Sequence, residues 1–167
     1  MQVQMPSFRP AVVTAPITIP LRRRADMALG ELIGSYGARG GLASPDEVLG
    51  LMRPYWRQPL SVLAKWIVVR KVVSFTWRTQ ILLPVFQFER PRMTPHQAIA
   101  DCSLALADVM GEEAFAAWFV SPGRWLGQRM PVDTLLSEPD AVVDAAGRTR
   151  LELIDLRGRR RAPPAAS

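Results

Sequence analysis

With 167 residues, 49% of them apolar, and a mean hydropathy of +0.06, the chain can bury one modest core or two small ones. A lone Cys102 excludes an internal disulfide, and a lone His96 leaves no Cys/His set for zinc, so no metal or other cofactor is expected. No apolar run reaches the roughly 18 residues of a membrane span, and the N-terminal charges follow the weakly apolar stretch, the reverse of a secretory signal, so a cytoplasmic protein without membrane contact is expected.

The net charge of +6 is unevenly spread. Residues 1 to 24 hold four Arg and no acid, residues 53 to 92 eight basic residues against Glu89 alone, and residues 93 to 155 four Arg against ten acids. A basic middle followed by an acidic half suggests two units with different partners, although solvated charge alone gives the same pattern.

Residues 1–43 read as a mostly disordered basic arm, with Pro6, Pro10, Pro16 and Pro20 and no hydrophobic period. Order is expected from Ser44. In "SPDEVLGLM", Ser44 is an N-cap, Pro45 the first helical residue and Glu47 the far side of a capping box, with Val48, Leu49 and Met52 on the apolar face. A second helix follows in "PLSVLAKWIVVRK", starting at Pro59 or Leu60, with Leu60, Leu63, Ile67 and partly Trp66 at helical spacing. The stretch from Val72 to Phe88 has β-branched and aromatic residues on both sides of Arg78-Thr79-Gln80, a hairpin pattern whose second arm Pro84 restricts to a sheet edge.

Helix, turn, helix and hairpin over residues 44–92 follow the plan of a winged helix-turn-helix. Lys65, Arg70, Lys71 and Arg78 would then lie where a DNA backbone is met. The second helix is largely apolar and offers few side chains to read bases, so the same elements serve equally well as a plain core.

Residues 93–150 read as a helical unit. Thr94 and Pro95 signal a helix start, Ile99, Cys102, Leu106 and Val109 share a face, and Gly111 is the expected stop. A further helix turns Phe115, Trp118 and Phe119 inward, Ser121-Pro122-Gly123 breaks the chain, Gly127 permits a tight return, and Pro131 opens "PVDTLL". Trp118, Leu126, Pro131 and Leu135 are expected to hold the fold, while Arg129 and Asp133 are spaced to pair or to cap exposed amides. Residues 151–167, ending "RGRRRAPPAAS", read as a basic flexible tail. The expected fold is mainly α: a small helical bundle with a helix-turn-helix-like first part and one β-hairpin.

Catalysis finds little support. No nucleophile has a base beside it, no Gly-rich phosphate loop occurs, and adjacent Glu112 and Glu113 diverge by about 100° on a helix. Ser61 and Lys65 share a helical face, a spacing far commoner among solvated side chains than in active sites. A non-enzymatic binding protein is expected.

Two stretches resemble a known family. "SPDEVLGLM…LSVLAKWIV…LPVFQF" is similar to the degenerate helix-turn-helix and Pro-x-Phe-Gln-Phe segment of bacterial antitoxins of the Xre/MbcA/ParS group. Ala114 to Ala146 resembles that group's toxin-binding domain, with Trp118, Pro122, Leu126, Gly127, Arg129, Pro131, Asp133, Leu135 and Leu136 at matching positions and Gln128 where a second Gly is usual. The resemblance spans roughly Ser44 to Gly147. It implies a partner, a RES-type NAD-degrading toxin blocked by the C-terminal helical domain, and binding of the promoter DNA in many members. An acidic helical module suits a basic dinucleotide pocket, and the basic middle suits DNA. Arg124, Trp125 and Arg129 are the candidate partner-binding residues. The alternative is a stand-alone DNA-associated regulator, or an orphan interaction domain without a toxin. A homodimer is expected from the apolar helices and the two-fold habit of DNA-binding regulators.

Overall fold

The computed structural model describes residues 21–161. The fold is mainly α, with seven α-helices and a small antiparallel sheet region among the described residues. Helix α1 spans Leu21–Gly37, β1 Leu42–Ala43, α2 Pro45–Met52 and α3 Pro59–Val68, followed by the hairpin β2 Phe75–Trp77 and β3 Gln80–Pro84. After a 3-10 turn at Val85–Gln87, β4 Phe88–Glu89 pairs with β5 Thr94–Pro95, and α4 Gln97–Leu106, α5 Glu112–Phe119, α6 Pro131–Thr134 and α7 Pro139–Arg161 complete the chain.

Helix α1 corrects the reading of residues 1–43 as a disordered arm; residues 1–20 lie outside the described residues. Leu29, Leu32 and Tyr36 recur at i, i+3 and i+7 and are buried, but Gly30, Gly34 and Gly37 weaken the local helix signal. Tertiary contact supplies what propensity lacks. Tyr36 stacks on Phe75 and Phe86 at 6.5 and 5.9 Å, and its hydroxyl donates to the Ala116 carbonyl at 2.6 Å.

The capping box at α2 forms as its residues dictate: Ser44 Oγ accepts from the Glu47 amide, and Glu47 Oε2 accepts from the Ser44 amide at 2.7 Å. In α3 the buried residues are Leu63 and Trp66, whereas Leu60, expected inside, is 65% exposed. Trp66 takes its place by meeting Trp56 edge-on at 5.4 Å. Strand order is β1-β3-β2, so β3 is the central strand and Pro84 does not confine it to an edge. Pro84 is the last residue of β3, opposite Leu42, and the next amide, that of Val85, donates to the Gly41 carbonyl.

Thr94 and Pro95 pair with Glu89 and Phe88 instead of opening α4, which starts at Gln97 with His96 as N-cap. Gly111 is likewise the N-cap of α5, not the stop of α4. The expected tail 151–167 is helical to Arg161, because α7 stays attached to the body: Arg150 pairs with Asp108 at 2.6 Å and Arg157 donates to the Val109 carbonyl at 2.7 Å. Residues 162–167 lie outside the described residues.

Packing does not divide at 92/93. One core gathers Val48, Leu49, Met52, Leu63, Trp66, Val72, Leu83, Phe88 and Met93. The other joins α1 and Val73 and Phe75 to the buried faces of α4, α5, α6 and α7. Consecutive Val72 and Val73 enter different cores, as alternation along an extended backbone requires. The segment Pro84 to Phe88 also feeds both cores, but through the 3-10 turn at Val85–Gln87, which breaks the alternation and sends Phe86 to Tyr36 and Phe119 and Phe88 to the other core. Between them, fully buried Gln87 accepts from the Val73 amide at 2.5 Å and donates to the Val73 and Pro84 carbonyls at 2.8 and 2.9 Å. The Phe-Gln-Phe run is thus the joint between the two cores.

Candidate partner-binding site

The segment from Trp118 to Leu136 builds a ledge on the face of α7. Helix α5 begins with Glu112 and Glu113, favourable beside its amide end, and stops at Val120. Gly123 then closes a tight loop: its amide donates to the Arg129 carbonyl, while its own carbonyl accepts from the Leu126 and Gln128 amides. A Cβ at Gly123 would stand 3.1 Å from the Arg129 carbonyl oxygen, tighter than an ordinary contact, so a larger residue would push this loop apart. Leu126 is the buried anchor of a 3-10 turn over Arg124–Leu126, and Gly127 ends it in the left-handed region at φ 62°. Gln128 is left-handed too, at φ 66°, where a second glycine would be unstrained.

Anchored this way, Arg124 and Trp125 face outward. Trp125 is 39% exposed and lies between two guanidinium groups, Arg124 at 5.2 Å and Arg148 at 5.1 Å from its ring centroid. Glu152 ties the group together, accepting from Arg124 at 3.0 Å and from the indole Nε1 at 3.3 Å. Beneath the ring is a shallow hollow of about 200 Å³ reaching Trp118, Leu126, Ala145 and Thr149. Arg148 and Glu152 were missed in the sequence; their i, i+4 spacing was the available signal, hidden by reading the tail from 151 as flexible.

The other residues of this stretch are framework. Arg129 binds Glu138 with both Nη atoms, at 2.6 and 3.1 Å, and its Nε donates to the Leu126 carbonyl. It does not pair with Asp133. Asp133 instead accepts from Arg39 at 2.7 and 2.9 Å, which pins the end of α1 to α6. These charge-assisted bonds hold the Asp133 and Glu138 carboxyls below the usual range. Pro131 and Leu135 are buried, as expected, and Pro122 is exposed. Trp118 is half-buried and meets Phe119 edge-on at 5.0 Å; the fully buried aromatics of this helix are Phe115 and Phe119.

The four candidate DNA-binding cations separate. Lys65 is exposed on α3, and Arg78 is exposed at the hairpin tip, its guanidinium 4.8 Å over Trp77. Lys71 is half-buried on the rim of the hollows beside α3 and α4. Arg70 turns inward, a correction of the sequence reading. Its Nη1 donates to the Ala107 and Met110 carbonyls at 3.0 and 3.2 Å, capping the end of α4, and its charge lies 5.5 Å over Phe115. The outer face of α3 presents Leu60, Ser61, Ala64, Lys65 and Val68, a poor set for base edges.

Among the described residues, no cluster of three or more His, Cys, Asp and Glu is placed to hold a metal ion, and no helix is long and apolar enough to cross a membrane. Cys102 is fully buried, and desolvation pushes its thiol up to about 12. No protein-family model, curated protein or solved structure matches this chain.

Proposed function

We propose that this chain is a non-enzymatic binding protein of the antitoxin kind, which blocks a RES-type NAD-degrading toxin by seating the Trp125 ledge against it. The observation that carries the reading is an exposed tryptophan locked in one orientation by Arg124, Arg148 and Glu152. Trp and Arg are the residue types that most often carry interface energy, and a preorganised ring loses little freedom on binding. The resemblance of Ala114 to Ala146 to a toxin-binding domain supports the same segment. The ledge itself is basic, however, so the complementary partner surface is acidic, not the basic dinucleotide pocket expected from the charge of residues 93 to 155 as a whole.

The test is whether the neighbouring open reading frame encodes a RES-type protein, and whether that protein co-purifies with this chain and is neutralised by it in a growth-rescue assay. Trp125→Ala is expected to leave the melting temperature unchanged and to weaken the complex by about 2 kcal/mol or more. Unchanged affinity, or no complex with the unsubstituted chain, overturns the proposal.

Binding of promoter DNA is the second reading, favoured by the exposed Lys65 on α3 and Arg78 at the hairpin tip. Two phosphate contacts account for a salt slope of only about −2, so such binding would be weak unless other segments contribute. Lys65→Glu with Arg78→Glu is expected to flatten the salt dependence, and an unaltered slope removes this face from DNA.

A further inference from the structure

Helix α7 has two faces. Val142, Ala145 and Ala146 are buried, and Thr149 and Leu153 continue the same face half-buried. At about 100° per residue, Gly147, Leu151, Ile154 and Gly158 fall within about 60° of one another on the opposite side. Leu151 is 64% exposed and Ile154 43% exposed. A Cβ added at Gly147 or Gly158 would meet nothing within 4 Å, so both glycines leave open space above the helix. Neither has the positive φ that would call for glycine. Each still costs the helix about 1 kcal/mol relative to alanine. Their 4-3-4 spacing with Leu151 and Ile154 is that of a coiled-coil seam in which small residues let two backbones approach.

We infer that α7 pairs antiparallel with α7 of a second copy of this chain, about a two-fold axis lying between residues 152 and 153. This register sets Leu151 against Ile154 and Gly147 against Gly158 on both sides of the axis, so the surface is complementary to itself, as a two-fold interface must be. The charges select the same arrangement. On one flank Arg148, whose guanidinium also lies over Trp125, falls beside Asp155 of the other copy. On the other flank the like charges of Arg150 and Arg157 are drawn away, Arg150 to Asp108 and Arg157 to the Val109 carbonyl. Among the described residues Asp155 pairs with Arg159, an exposed i, i+4 contact of little worth. A parallel pairing would put the basic ends of both helices together. This inference is independent of the toxin reading, because its readout is the mass of the chain alone.

The test is sedimentation of the full chain over a concentration series. The unsubstituted chain is expected to sediment as a dimer whose melting temperature rises with concentration, and Leu151→Glu as a folded monomer whose cooperative melt is independent of concentration. Arg148→Asp and Asp155→Arg are each expected to weaken the dimer about tenfold, because each makes two like-charge pairs. Mixing these two variants restores both pairs, so the mixture is expected to form a heterodimer tighter than either homodimer. A monomeric unsubstituted chain, a dimer that survives Leu151→Glu, or a mixture no tighter than its components overturns the inference.

Discussion

Replacing Gln87 with leucine keeps the side-chain volume nearly constant and removes three hydrogen bonds at the joint between the cores. Val73 lies outside any strand, and Gln87 matches both its amide and its carbonyl. Leaving two buried backbone groups unmatched costs about 1 to 3 kcal/mol each. The sum, about 2 to 6 kcal/mol, is a large share of the roughly 5 to 15 kcal/mol that holds a domain folded. At about 3 °C per kcal/mol for a chain of this size, the melting temperature should fall by about 6 to 18 °C. Gln87→Glu separates hydrogen bonding from shape. Its carboxylate still accepts from the Val73 amide but faces the Val73 and Pro84 carbonyls, so folding favours the protonated acid and raises its pKa above the unfolded value. The stability of this variant relative to the unsubstituted chain is therefore greatest below the unfolded pKa and is lost as pH rises through the folded one. Thermal melts at neutral and mildly acidic pH measure both effects. A Gln87→Leu melt within about 2 °C of the unsubstituted chain would refute the reasoning, because that is less than the cost of one unmatched group.

Gln128→Gly relieves a left-handed residue at φ 66°, and its cost in chain entropy is smaller than the strain removed, so a gain of about 0.5 to 1 kcal/mol in urea unfolding is expected; a loss would show that the Gln128 side chain contributes more than its backbone costs. Asp108, Asp133 and Glu138 are held below the usual carboxylate range by hydrogen bonds from Arg150, Arg39 and Arg129, and Glu47 by the Ser44 amide. Their stabilisation is present above the unfolded pKa values and is lost as pH falls through the folded ones, so the melting temperature should be level near neutrality and fall below about pH 4, less steeply in high salt. A melting temperature that rises between about pH 5 and pH 3 would contradict these pairings.

Elements whose signals are local were legible in the chain. The Ser44–Glu47 box, the hairpin turn at Arg78-Thr79, the anchors Leu126 and Leu135 and the left-handed Gly127 each depend on residues a few positions apart, and the structure has them all. The sequence alone could not determine where long side chains end. Arg70 lies in a basic run, but its guanidinium caps a helix 37 residues downstream, and Asp133 finds Arg39 94 residues away instead of Arg129 four residues away. Two further elements needed partners before they became visible. Helix α1 is weakened by its glycines until Tyr36 reaches Phe75, Phe86 and the Ala116 carbonyl, and the second half of α7 resembles a charged tail until Asp108 and Val109 bind its arginines. The Trp125 ledge combines both cases: the sequence supplied the tryptophan, but only the packing of α7 against the loop brought Arg148 and Glu152 to it, because contacts between distant segments leave no period in the chain.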